Sequence, residues 1–186
     1  MKICIDPGHG MSNRKPGIFD PGAVHVENAF QHQEAIITLK YGLTLKDVFR
    51  ARQVDVFMTR DDQQDHAPVT ARAKNAKNAG CNVFVSIHMN DNEDDSANGL
   101  EVLFRDAVDK ALAEKMQTAL VKVTKLKDRK IKERTDLAVL KFQGTAILIE
   151  LGFIANDKDR ETLLNPQTRE QVCVTIANVV QAHFSN

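Results

Sequence analysis

Four side chains in this 186-residue chain interrupt apolar patterns in a way that packing alone does not explain. His9 follows the β-prone run 2–5 across Asp6-Pro7-Gly8, and His88 closes the continuous apolar run that starts at Val83. Glu150 sits within the apolar run that starts at Ala146, and Glu34 lies one turn before Ile37 on the apolar stripe of a helix. An imidazole or carboxylate on an inward-facing position is costly unless something compensates it. Two imidazoles and a carboxylate at strand ends are the donor types zinc takes, and a catalytic zinc wants a third protein ligand plus an open position for water. Glu34 can supply that ligand. Singly, each residue has an ordinary reading: a hydrogen-bonded turn histidine, an anion-binding Pro-Gly-His-Gly turn, a structural ion pair. The weight lies in all four together.

These groups need elements to hold them. Residues 2–5, 54–58, 83–88, 99–104 and 146–151 read as strands, and 83–88 and 146–151 are apolar enough to be covered on both faces. Residues 33–50 carry a helical stripe of Ile37, Tyr41, Leu45 and Val48, widened by Ile36, Leu39 and Leu43. Residues 69–79 read as an Ala-rich helix ended by Gly80, 106–123 as a further helix, and 167–184 as an amphipathic one with Val172, Ile176, Val179 and Val180 inward. Residues 10–31 have Gly, Pro, Asn and Asp at short intervals and no period, which predicts one long functional loop. Residues 125–134 are dense in Lys and Arg and read as a solvated surface segment. Alternating strands and helices predict a single α/β domain over 1–186: a mainly parallel, mixed, twisted sheet of about six strands with helices on both faces. Ligand sites in such sheets lie at the carboxyl ends of the strands, where His9, His88 and Glu150 fall.

Composition narrows the function classes. Twenty-five Lys+Arg balance twenty-five Asp+Glu, so no broad field attracts nucleic acid or an anionic membrane. A hydrophobic fraction of 42% is enough for a core without disulfides or a partner subunit, and a monomer is expected. Cys4, Cys81 and Cys173 cannot all pair within one chain and show no CxxC spacing; they read as buried thiols. No run approaches the length of a membrane span, and no secretory signal pattern opens the sequence, so synthesis in the cytoplasm is expected.

Four separated motifs, Ile5-Asp6-Pro7-Gly8-His9-Gly10, Asp20-Pro21-Gly22-Ala23, Ser86-Ile87-His88-Met89-Asn90 and Ile149-Glu150-Leu151-Gly152-Phe153-Ile154-Ala155-Asn156, resemble the zinc-dependent N-acetylmuramoyl-L-alanine amidases of the amidase-3 type. Thr59-Arg60-Asp61-Asp62, Arg72 with Asn75, and Gly99-Leu100-Glu101-Val102 are similar to that family in the same order, so the likeness runs through the whole chain. It implies Zn2+ held by His9, Glu34 and His88, with Glu150 as the catalytic carboxylate that takes a proton from water and returns it to the leaving nitrogen. The family's second ligand is a Glu that opens the first helix. Glu34 fits by periodicity, while Glu27, His25 and His32 stay open, Glu27 being the fallback in the loop. Asp6, Ser86 and Asn90 are candidates for orienting the imidazoles or holding substrate. Thr145 and Lys141 stand where such enzymes often have Pro and Arg. The implied substrate is peptidoglycan, cut between N-acetylmuramic acid and L-alanine. The implied setting is a phage or prophage endolysin released at lysis, or a non-exported autolysin. A zinc peptidase acting within stem peptides and a non-catalytic peptidoglycan-binding regulator are the rival readings.

Overall fold

The computed structural model describes residues 1–185. Its main sheet has six strands in the order β4-β1-β5-β8-β6-β7. These are β1 (Lys2–Pro7), β4 (Asp55–Met58), β5 (Val83–Asn90), β6 (Leu100–Phe104), β7 (Asp128–Glu133) and β8 (Thr145–Phe153). β1 pairs in parallel with β4 and β5, β5 with β8, and β6 with β7; only β6 against β8 is antiparallel. The mixed, mainly parallel α/β sheet expected from the strand–helix alternation is therefore the observed one.

Alternation along the central strands divides the core in two. Ile3, Ile5, Val83, Val85, Ile87, Ile147 and Ile149 pack with Tyr41, Leu45 and Phe49 of α1 (Glu34–Ala51), Leu112 and Met116 of α3 (Ala107–Thr124), and Ile176 and Val180 of α5 (Pro166–Phe184). Cys4, Phe84, Ala146 and Leu148 point the other way, onto Ala76 of α2 (Val69–Asn78) and onto Val139 and Leu140 of a short 3-10 turn, Val139–Lys141. Ser86, His88 and Glu150 continue this second face toward the strand ends, by the two-residue period of a strand. A cleft of about 180 Å³ opens there, lined by His9, Asp20, Arg72, His88, Val139 and Leu148 among others. All three cysteines are free and buried.

Two sequence expectations need correction. Residues 10–31 are not one aperiodic loop, because β2 (Val24–Glu27) and β3 (Phe30–Gln33) form an antiparallel hairpin turned by Asn28 and Ala29, both at positive φ. The hairpin stands apart from the main sheet, so its strands carry no apolar run to betray them. Residues 125–134 are not merely surface coil: they contain β7, an edge strand whose charged side chains are the kind that protect an open sheet edge. A short helix, α4 (Asp157–Leu164), also escapes the periodicity argument. Its eight residues are mostly polar and its start is marked only by the Asn156 cap, whose side chain accepts from the Asp159 amide.

Candidate metal centre

The site is assembled where β1 ends. His9 and Gly10 both take positive φ, 63° and 82°, which turns the chain sharply and aims the His9 ring across the strand ends. Gly8 has no room for a side chain: a Cβ there would lie 2.4 Å from the His88 ring. The loop then folds back so that Asp20 bridges Gly10 through two backbone hydrogen bonds. This return places the Asp20 carboxylate against His9, whose Nδ1–H donates to Oδ2 at 2.8 Å. The Ser12 hydroxyl donates to the same oxygen at 2.8 Å, and the Gly22 amide donates to Oδ1 at 2.9 Å. His9 is thus held by its Nδ1 edge, and its Nε2 faces Glu34 Oε2 at 3.0 Å.

Glu34 is the first residue of α1 and is 2% exposed. Its carboxylate is anchored from both sides. Oε2 accepts the Ala23 amide at 2.9 Å, and Oε1 accepts the Met89 amide and His88 Nδ1, each at 2.9 Å. Gly22, at φ 67°, leaves the space this requires, since a Cβ would fall 2.5 Å from Glu34 Oε2 and 2.6 Å from His9 Cδ2. Burial alone would raise the Glu34 carboxyl. The hydrogen bonds and charges of His88 and His9 overcome that penalty and hold it well below the usual carboxylate range. Burial likewise opposes charge on His9, but Glu34 and Asp20 outweigh it and lift the imidazole to about 9. His88 is raised too, against burial, by Glu34 first and Glu150 after it.

One nitrogen from each imidazole and one Glu34 oxygen lie within 4.8 Å of one another, and this group could hold a metal ion. The donor set fits zinc chemistry. It offers two imidazoles and an ionised carboxylate, three protein ligands in all, and His9 has the carboxylate partner that ligating histidines generally require. Glu150 stands beside the group, in register with His88 on the neighbouring strand. Its Oε2 is buried and makes no hydrogen bond among the described residues. Burial pushes the Glu150 carboxyl up to about 7, with the Glu34 and Glu101 carboxylates adding to the rise and His88 and His9 opposing it. A half-buried carboxyl with one buried, partnerless oxygen, raised to about 7 beside a candidate cation site, is suited to accepting and returning a proton.

The structure brings His9, Glu34, His88 and Glu150 together, and it places the other candidates elsewhere. Glu27 lies on the hairpin and spends its carboxylate on Arg160 at 3.1 Å, with His32 3.7 Å away; His25 faces His32 across the same hairpin. Asp6 and Ser86 do not bond either imidazole. Asp6 is fully buried and accepts from Arg72 Nη1 at 2.9 Å and from the Thr59 and Ser86 hydroxyls at 2.6 Å each. Arg72 in turn donates to the His9 carbonyl at 2.6 Å and the Pro7 carbonyl at 2.9 Å, so this cluster braces the backbone that carries His9. Arg60 does the same from the far side, donating to the carbonyls of Gly8 at 2.8 Å and Ala35 at 2.7 Å. Asn90 donates to Glu101, not to a ring. The partner that bonds His9 is Asp20, to which the sequence analysis assigned no role; the available signal was its place at the head of the Asp20-Pro21-Gly22-Ala23 motif.

Comparison with known proteins gives the family and the fold. The family profile described as N-acetylmuramoyl-L-alanine amidase matches residues 3–182. The probable cell wall amidase LytH of Staphylococcus saprophyticus is 29% identical over 183 residues, covering 98% of this chain and 58% of its own length. The chain therefore spans a little over half of that curated relative. Among solved structures, the catalytic domain of CwlV, an N-acetylmuramoyl-L-alanine amidase from Bacillus (Paenibacillus) polymyxa var. colistinus, superposes with a TM-score of 0.87 at 28% identity, covering 99% of this chain and 98% of that one. An N-acetylmuramoyl-L-alanine amidase from Clostridium difficile 630 superposes with a TM-score of 0.86 at 27% identity, covering 100% and 97%. With a family match running from the first strand into the last helix, this chain belongs to the N-acetylmuramoyl-L-alanine amidase family of the amidase-3 type.

Proposed function

We propose that the chain is a zinc-dependent hydrolase that cleaves the amide joining N-acetylmuramic acid to the L-alanine of the stem peptide in bacterial peptidoglycan, with residues 1–186 acting as one catalytic unit. The observation that carries this reading is the partnerless buried Oε2 of Glu150 set beside the His9–Glu34–His88 group. Zinc held by these three side chains would supply Lewis-acid chemistry, acidifying water and polarising an amide carbonyl. The remaining work falls to the chain itself. Glu150, poised near neutrality by burial, accepts the proton that water loses as its oxygen bonds to the carbonyl carbon. The same carboxyl then donates that proton to the nitrogen as the C–N bond breaks, so the peptide leaves with a free amine and the sugar keeps a carboxylic acid. Asp20 fixes the tautomer and orientation of His9. Arg72 and Arg60 hold the carbonyls of the Pro7–His9 turn, which keeps the ring from swinging out of register. Apolar Leu148 and Val139 line the cleft floor and exclude water around the reacting groups.

The direct test is mass spectrometry of purified sacculi after incubation with the chain, with and without chelator. The reading expects intact stem peptides beginning with alanine and glycan strands free of peptide, both abolished by chelation. Shortened peptides would instead identify a peptidase, and equal lysis in chelator would remove the metal from the account.

A further inference from the structure

The charged row on the site's face of the sheet does not stop at Glu150. Glu150 is in register with Glu101 on antiparallel β6, which puts both carboxylates on one face. Beyond β6, the register of β7 shifts between the partners of Leu100 and Val102, which pair with Asp128 and Ile131. That bulge leaves Arg129 and Lys130 opposite Glu101. Arg129 Nε donates to Glu101 Oε2 at 2.8 Å, and Lys132 Nζ donates to the same oxygen at 2.6 Å. The Arg129 guanidinium lies over the Phe153 ring, 4.8 Å from its centroid. Two cations thus share one buried carboxylate, leaving an excess positive charge. The two terminal nitrogens of Arg129 make no hydrogen bond to protein among the described residues, and its side chain is 28% exposed while that of Lys132 is 45% exposed. A guanidinium seated over a ring, with its Nε fixed and its amino groups uncommitted, is a preorganised carboxylate receptor.

We propose that Arg129 and Lys132 form a carboxylate-binding subsite that anchors the departing peptide through the free acid of the residue after alanine. This inference rests on the amidase reading and extends it. On the sugar side of the scissile bond the lactyl carboxyl is already tied up as the amide, so negative charge lies on the peptide side alone. Adjacent strands are about 5 Å apart, which places β7 roughly 10 Å from β8. Two residues of extended peptide span about 7 Å, so an acid on the second residue falls within reach of a long side chain from β7. Glu101 keeps the two cations in place between turnovers, and its own burial prevents it from following the substrate.

The test uses the zinc-loaded chain and two synthetic muramoyl peptides that differ only in whether the residue after alanine bears a free carboxyl or a carboxamide. The wild-type chain is expected to favour the acid at least about tenfold in kcat/KM, the scale of one charge-assisted hydrogen bond, chiefly through KM. Arg129→Gln and Lys132→Gln are expected to move that ratio toward one, and Lys132→Glu to move it furthest. A brace that merely neutralised Glu101 would lower both substrates together and preserve the ratio, and that result overturns the proposal. So does a wild-type chain that cuts acid and carboxamide equally, a comparison needing no variant. A chain that cuts neither peptide overturns the amidase reading itself and takes the subsite with it.

Discussion

Replacing Asp20 by asparagine changes one charge and one hydrogen-bonding atom at the candidate metal centre. In the native site both carboxylate oxygens accept: Oδ1 from the Gly22 amide, and Oδ2 from His9 Nδ1 and the Ser12 hydroxyl. An asparagine has a single acceptor, so it can serve the Gly22 amide or His9 Nδ1–H, not both. If it serves Gly22, its amide nitrogen faces His9 Nδ1 and favours the tautomer with the proton on Nε2, the nitrogen that faces Glu34. A charge-assisted hydrogen bond contributes roughly 1.5–3 kcal/mol. Asp20 is 41% exposed, so solvent screening reduces its share to about 1–2 kcal/mol. At about 1.4 kcal/mol per decade, zinc affinity should fall on the order of tenfold, at the lower end of what loss of a ligand's carboxylate partner costs. The assay is competition for zinc against a calibrated chromophoric chelator, with thermal melting as a check that the fold survives. An Asp20→Asn chain that binds zinc as tightly as wild type would refute the argument that this carboxylate sets the His9 tautomer.

Three further outcomes follow from the same geometry. Gly22→Ala puts a Cβ 2.5 Å from Glu34 Oε2 at a φ of 67°, and should abolish zinc binding, read as metal content after dialysis, even where circular dichroism shows a folded chain. Arg72→Leu strips the fully buried Asp6 of its cation and the His9 turn of its brace; chemical denaturation should show a loss of about 3–5 kcal/mol. In zinc-free protein His9 has its pKa raised from 6.5 to about 9, so its ion pair stabilises fully below pH 6.5 and is lost as pH rises toward 9. His9 is 26% exposed, and the melting temperature of the chelated chain should decline across that window by the equivalent of up to about 3 kcal/mol from this pair, a decline that His9→Gln reduces to the part that the raised His88 contributes. The lowering of Glu34 comes from His88 first and His9 after it, so it describes these same two contacts from the carboxylate side and is not counted again.

What the sequence disclosed and what it hid follow one physical division. His9, His88, Glu34 and Glu150 could be picked out as candidates because each is a polar group set into a local apolar pattern, and local pattern is what a sequence displays. Asp20 could not, since its meaning comes from a loop returning to Gly10, and no local rule specifies that contact. Glu101 was hidden for a related reason: inside Leu100-Glu101-Val102-Leu103 it looks like the polar side of an alternating strand, and only the antiparallel pairing with β8 sets it across from Glu150. β7 was obscured by its own protection, because the charges that keep an edge strand from pairing further are those that make it look like surface coil. Asp6 and Ser86, candidates for orienting the imidazoles, instead bond each other, and Asp6 also bonds Arg72 and Thr59, which arrive much later in the chain and which no local pattern ties to it.

In the proposed reading, metal retention and proton handling are separate duties, the first belonging to His9, Glu34 and His88 and the second to Glu150. Glu150→Gln keeps the shape of the side chain while removing the basic oxygen, so one preparation can be assayed for zinc content and for turnover of a muramoyl peptide. The Glu150→Gln chain should hold about one zinc, as in wild type, with turnover reduced roughly 10²–10⁴-fold, the usual contribution of a positioned acid–base group. Turnover at the wild-type rate, or loss of the zinc along with the activity, would contradict it.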